Sequence, residues 1–318
     1  MAPRFSVVVP AYNASATLDE TLASIAAQTY ADWECVVVDD GSADDTAAIA
    51  LTRSAQDARF RLVQQENKGT AGAYRTGVAA ACADLIVICS ADDLLLPAHL
   101  EAMDRLISAH PECGIFSSNG EYLDDATGAR RIAYSDEEWR VERSLDLEQV
   151  IRQCFFSVGA VFRREVYEIT GGHRPGVYVD DYDLWLRAMA SGVKHRYTPE
   201  VLSVHRVSDF QQSADVRRVW RADVSVYEHL RDEYALSASA LATIDETIAD
   251  RMGWIDNYPE MLERQAVELA LEQQATALRS RVERLVGPAH AGGVLRVIHA
   301  VSWVTRPLRK LLARRSAR

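Results

Sequence analysis

Nothing in the 318-residue sequence approaches the run of about 18 uncharged apolar residues that a membrane-crossing helix needs. A first strand starts as early as Phe5, so the expectation is a chain with no leader peptide. Cysteine is sparse: Cys35, Cys82, Cys89, Cys113 and Cys154 form no CxxC pair, which argues against a zinc site. Most of them stand in or beside apolar runs, the setting of buried free thiols in a reducing cytoplasm. Positive charge is also short, with 35 Lys and Arg against 46 Asp and Glu and a net charge of −11. That deficit is uneven. From Arg279 onward ten basic residues face one acidic residue, which puts +9 on the tail and −20 on the remainder. So acidic a body argues against a nucleic-acid substrate, whereas the basic tail suits an anionic surface. Two glycine motifs are missing as well. The turn after the first strand reads Pro10-Ala11-Tyr12-Asn13 rather than GxGxxG, and there is no GxxxxGK[ST] loop. These absences exclude a dinucleotide-binding Rossmann enzyme and a P-loop nucleotidase.

What is present is an alternation of strands and helices. Phe5 to Val9, Trp33 to Val38, Phe60 to Val63 and Leu85 to Cys89 are short apolar runs that read as buried strands. Helical patterns separate them, beginning with Leu18, Leu22 and Ile25 after a candidate cap at Ser15. This is the pattern of βαβ units and a parallel sheet. Each strand ends in polar residues: Tyr12-Asn13, Asp39-Asp40-Gly41-Ser42, Asn67-Lys68-Gly69 and Ser90-Ala91-Asp92-Asp93. In open α/β sheets ligands collect at that edge. The pair Asp92-Asp93 admits two readings, ligands for a divalent cation or a cap for the helix that starts near Pro97.

Taken in order, Ser6 to Asn13, Val37 to Ser42, Asn67 to Gly69, Ala91 to Pro97 and Asp180-Asp181-Tyr182-Asp183-Leu184-Trp185 resemble the successive signatures of family 2 glycosyltransferases with the GT-A fold. The resemblance reaches about Ser213. It implies transfer of a sugar, with inversion, from a nucleoside-diphosphate donor to an acceptor hydroxyl, with Mg²⁺ or Mn²⁺ on the diphosphate. UDP- or dTDP-sugars are favoured over GDP-sugars, because a carboxylate at Asp39 can accept the imide N–H of uracil or thymine.

The same resemblance assigns roles. Pro10, Ala11, Tyr12, Asn13, Asp39 and Asp40 form the nucleotide pocket, with Tyr12 stacked on the base. Asn67 and Gly69 belong to the following loop, where the family pattern ends in Arg-Asn-x-Gly but this chain reads Tyr74-Arg75-Thr76-Gly77. Arg75 is the candidate for a donor phosphate. Ser90, Ala91 and Asp92 match the DxD motif, Asp92 being its metal-binding aspartate, Ser90 replacing the first one and Asp93 left as a helix cap. Asp181 corresponds to the general base and Asp180 to the acid before it. Trp185 reads as core or as a platform for a sugar face. Tyr197 to Arg206 reads as two short strands around a turn, with Arg206 on phosphate and His205 a second metal ligand in place of the family's Arg-x-His. Gln211 and Gln212 would line a lid.

The alternation divides the chain into a GT-A domain over 1–213, with a nucleotide-sugar half at 1–97 and an acceptor half at 98–213, and a helical region over 214–318. Within the latter, heptad-spaced apolar residues over 261–286 suit a homodimer. A basic amphipathic helix over 293–318, containing Trp303, suits peripheral contact with the inner face of a plasma membrane. The expected acceptor is a glycan or lipid-linked sugar of a bacterial cell surface. Two alternatives stay open. One is an inactive nucleotide-sugar-binding or scaffold member of the same fold, to which Ser90, Ser208 and Arg75 lend weight. The other, a sugar-1-phosphate nucleotidylyltransferase, lacks its Gly-rich loop and following Arg after the first strand.

Overall fold

A computed structural model describes residues 2–154, 156, 158–208 and 214–261. Four strands carry the predicted alternation: β1 (Phe5–Ala11), β2 (Trp33–Asp39), β3 (Phe60–Gln64) and β4 (Leu85–Ile88). They are interleaved with α1 (Leu18–Ala26), α2 (Thr46–Gln56) and α3 (Gly69–Ala80). β1 lies between β2 and β4 with all partners parallel, and β3 extends the sheet beyond β2, also in parallel. Val7, Val8 and Val9 are fully buried because helices cover both faces of this part of the sheet. Each such side chain contributes about 1.5–3 kcal/mol through burial.

The second half is mixed. It comprises β5 (Leu94–Leu95), α4 (His99–Ala109), β6 (Ile115–Asp124), β7 (Arg130–Ile132), α5 (Leu147–Arg152), β8 (Val161–Arg163), α6 (Arg164–Thr170), α7 (Asp180–Ala190), β9 (His195–Val207) and α8 (Val216–Glu233). Among the described residues the strand order is β3-β2-β1-β4-β8-β6-β9-β5, with β7 paired to β6. β8 is antiparallel to both β4 and β6, whereas β6 and β9 run parallel.

Three local expectations change. Tyr197 to Arg206 is one continuous strand rather than two: register shifts against β6 between Ser118 and Gly120 absorb Pro199 and Glu200. A bulge is where a residue without an N–H can sit inside a sheet. Ser15 does not cap α1, which begins after Thr17 without a side-chain cap; the backbone N–H of Ser15 instead donates to Asp44. Asp93 does not cap α4 either, since that helix begins at His99 after Ala98.

The chain divides into a compact unit over Met1–Ile255 and a second over Asp256–Arg318. In the first unit Val226, Tyr227 and Leu230 of α8, with Ile244 beyond it, share one hydrophobic cluster with Trp185 and Tyr182. The compact unit therefore runs past residue 213. In the second unit only 256–261, a helical stretch, is described. The heptad segment beyond residue 261, the amphipathic segment over 293–318 and the lid residues Gln211 and Gln212 lie outside the described residues. Among those described, no helix is long and apolar enough to cross a membrane.

Candidate active site

Parallel pairing brings the ends of β1 and β2 side by side, and their loops are laced together. Asn13 has a positive φ of 48°, a conformation asparagine tolerates, and its side-chain oxygen accepts from the Ala43 N–H at 2.9 Å. Its own N–H donates to the Ser42 hydroxyl at 2.9 Å. Asp39, buried at the end of β2, accepts from the Ser42 N–H at 3.0 Å and from the Gln64 amide at 3.1 Å. Asp40 accepts from the Gln65 amide at 2.6 Å and from the Lys68 N–H at 2.9 Å, which holds the loop after β3. Its N–H donates to the Ala11 carbonyl at 2.9 Å, just after Pro10. Asn67 accepts from the Gly69 N–H at 3.1 Å. Tyr12 stands over this edge at 55% exposure, its ring open to a planar partner.

The turn after β4 closes through a bond from the Asp93 N–H to the Ser90 carbonyl at 3.2 Å. The Ala91 carbonyl accepts from the hydroxyls of Thr17 and Thr21, both at 2.9 Å, so α1 fixes the turn from below. Asp93 points inward and is buried. It accepts from His205 Nδ1 and from the Arg206 N–H, both at 3.0 Å. Its work is thus to hold β9 against the turn after β4. Burial alone would push the His205 pKa down, but the hydrogen bond and charge of Asp93, with the charges of Asp92 and Asp181, raise it.

The two arginines expected on phosphate are engaged elsewhere. Arg75 donates to the carbonyls of Gly171 at 2.6 Å and His173 at 3.2 Å. Arg206 pairs with Asp125 at 2.7 Å and with Glu20, and its Nε donates to the Asp92 carbonyl at 3.1 Å. Alternation along β9 explains the split, since His205 and Arg206 leave the strand on opposite faces.

Arg187 completes the clamp on the turn that Arg75 grips. It is buried against Asp183, each at 1% side-chain exposure, and donates to the carbonyls of Thr170 at 2.6 Å and Gly172 at 2.8 Å. Four successive carbonyls are thus taken alternately by α7 and α3. Only glycine suits the turn: Gly171 and Gly172 both have positive φ, and a Cβ on Gly172 would meet the Tyr167 ring at 2.5 Å. The clamp leads into α7, whose first turn carries Asp180, Asp181 and Asp183, favoured there by the helix dipole. Asp180 accepts from the Asp181 N–H at 3.1 Å, while its other oxygen has no protein partner. Burial, then the neighbouring Asp181 charge, push its pKa up to about 7. Burial likewise raises Asp181, against the Tyr182 N–H that donates to it at 2.7 Å and the charge of His205.

Asp181, Ser90, Asp93 and His205 line one cavity of about 240 Å³. Tyr74 joins them, stacked on His173 at 4.5 Å between ring centroids. The far wall comes from Glu121 and Tyr122 of β6, with Trp185 and Ser203. Sequence reading missed Glu121, Tyr122 and Ser203 and misassigned Asp93. The available signals were the strand spacing Ser203-x-His205 and the helical spacing Asp181-x-x-x-Trp185.

The site's order of elements has a counterpart in known sequences, since residues 6–170, just over half of the chain, match the pattern described as Glycosyl transferase family 2. The chain belongs to glycosyltransferase family 2. This family 2 glycosyltransferase is 34% identical over 191 residues to the O-antigen biosynthesis protein RfbC of Myxococcus xanthus, a match covering 58% of this chain and 14% of that protein. The fold likewise matches that of S. aureus TarS 1-349, solved in complex with UDP-GlcNAc, at a TM-score of 0.62 and 17% identity over 77% of this chain and 71% of that one. The mannosyltransferase PcManGT of Pyrobaculum calidifontis, solved with GDP-Man and Mn²⁺, matches at a TM-score of 0.59 and 22% identity over 98% and 84% of the two chains. The GT-A architecture of the glycosyltransferase is therefore as expected.

A cation would find a partial donor set. Among the described residues no three His, Cys, Asp or Glu side chains are grouped to hold a metal. Still, His205 has its Nδ1 on a carboxylate, the arrangement that orients a metal-binding imidazole and leaves Nε2 outward. Asp92 adds an oxygen donor in the adjoining turn. These residues fit an oxygen-preferring cation only with further ligands from a bound diphosphate and water.

Proposed function

We propose that this glycosyltransferase moves a sugar from a nucleoside diphosphate to the hydroxyl of a glycan or lipid-linked acceptor, with inversion, in the building of a bacterial cell-surface polysaccharide. The observation that carries the reading is the single cavity lined by both Asp181 and Ser90. The nucleotide would lie along the open edge, its base on Tyr12 and against Asp39, with the diphosphate over Ser90, Ala91 and Asp92. The acceptor oxygen attacks the anomeric carbon while the bond from that carbon to the diphosphate oxygen breaks. The departing electron pair leaves with the diphosphate. The acceptor proton passes to Asp181, whose poor solvation makes it a stronger base than an exposed carboxylate. A Mg²⁺ or Mn²⁺ ion held by Asp92 and His205 would supply positive charge to the leaving group.

The O-antigen assignment of RfbC supports the polysaccharide setting, and the nucleotide-sugar complexes of the structural neighbours support the donor class. A preference for UDP or dTDP over GDP rests on Asp39 as acceptor of an imide N–H. The test is a panel of UDP-, dTDP- and GDP-sugars, with and without Mn²⁺, read by donor hydrolysis and thermal shift. The expected result is binding and slow hydrolysis of one nucleotide class, strengthened by the metal. Binding of none of them removes the reading.

A further inference from the structure

Two groups in the cavity wall take no part in the chemistry described so far. Trp185 and Ser203 both line the cavity and are buried, at 0% and 1% exposure. The indole Nε1 of one and the hydroxyl of the other have no protein hydrogen-bond partner. A buried polar atom left unpaired costs about as much as a hydrogen bond gains, so each such atom calls for an explanation. Neither can readily turn elsewhere. The Trp185 ring is stacked on Phe156 at 5.1 Å and set edge-on to Phe162 at 5.7 Å. The Ser203 backbone is in register with Leu95 on one side and Gly120 on the other.

Their positions relative to the reactive groups are fixed by secondary structure. Trp185 follows Asp181 by four residues on α7, so the indole and the base share a helix face. Ser203 precedes His205 by two residues on β9, so both share a strand face. Both residues thus line the same cavity as Ser90, Asp181 and His205, where the ring bearing the anomeric carbon would lie. An indole N–H can only donate, so its partner must be an acceptor such as oxygen; a serine hydroxyl can donate or accept.

Building on the glycosyltransferase reading of this site, we propose that Trp185 and Ser203 are its sugar-specificity residues. The indole N–H donates to one oxygen substituent of the transferred sugar and the Ser203 hydroxyl bonds to another. A cavity built this way selects a ring that carries both oxygens and disfavours the analogue lacking either, because the bound analogue leaves a buried polar group unpaired.

The experiment uses the full chain and the donor identified in the nucleotide-sugar panel, set against the matching nucleoside diphosphate alone. Calorimetry and thermal melting are run on the wild type, Ser203→Ala and Trp185→Phe. All three should bind the nucleoside diphosphate within about twofold of one another, while each variant binds the sugar-bearing donor at least about tenfold more weakly. Ser203→Ala should also melt no lower than the wild type without ligand, since it removes an unpaired buried atom; a serine with a purely structural role would lower that melting point. Trp185→Phe leaves a gap, so the serine variant carries the stability readout. If the affinity ratio of sugar donor to diphosphate is the same in all three proteins, the proposal is overturned and the glycosyltransferase reading stands. If the wild type binds no nucleotide sugar, that reading falls and this one with it.

Discussion

At the ends of β1, β2 and β3 the polar side chains bond to neighbours close in the chain: Asn13 to Ser42 and Ala43, and Asp40 to Lys68, at separations of 28 to 30 residues. In the cavity the partners come from far apart, His205 meeting Asp93 across 112 residues. The first region is an open edge whose loops brace one another and leave Tyr12 outside. The second is a recess that exists only once β9 has paired beside β6 and α7 has been seated by its arginine clamp. If the nucleotide is held at the open edge and the acceptor activated in the recess, as proposed, the two tasks depend on different parts of the fold and each can be damaged separately.

The strongest way to separate them is Asp181→Asn, which keeps the shape and removes the proposed base. It should lower kcat by about 10²- to 10⁴-fold while donor affinity, measured by calorimetry, stays within about threefold. A parallel collapse of donor binding would mean that the two regions are one. The next effect concerns Asp180, whose pKa is raised from an ordinary 3.8 to about 7 by burial and its acidic neighbour. A folded pKa above the unfolded one gives stability that is complete below about pH 4 and lost as pH rises through about 7. Asp180→Asn abolishes that loss, so its advantage over the wild type in chemical denaturation should grow from pH 4 to pH 8, up to about 4 kcal/mol. A constant difference across that range would place the shift elsewhere. The smallest effect belongs to the open edge. Asp39→Asn should weaken nucleotide binding about tenfold, or 1.4 kcal/mol, with kcat at saturating donor little changed. A fall in kcat alone would reverse the assignment of the two regions.

The same contrast explains what could be read from the residues in order. The strands β1 to β4 and the polar residues at their ends were legible because a buried parallel strand is written as a continuous apolar run followed at once by its loop. The acidic start of α7 was legible because Asp180, Asp181 and Asp183 stand in one short stretch. The protein partners of Arg75 and Arg206 were not legible, since a guanidinium serves a backbone carbonyl or a neighbouring carboxylate as well as a phosphate, and the partners they meet here lie 96 and 81 positions away. Asp93 looked like a cap because an acidic residue shortly before a helix start is a common capping signature; its partner on β9 left no local trace. Ser203 and Trp185 are single ordinary residues in apolar surroundings, and only the folded wall reveals that their polar atoms lack partners.

The alternating grip on residues 170–173 has a further meaning for how the molecule opens. A turn whose carbonyls belong by turns to Arg187 and to Arg75 cannot come loose from one helix without exposing acceptors that the other helix does not satisfy. α3 from the nucleotide side and α7 from the base side therefore belong to one cooperative block, so that local unfolding on either side of the cleft draws in both.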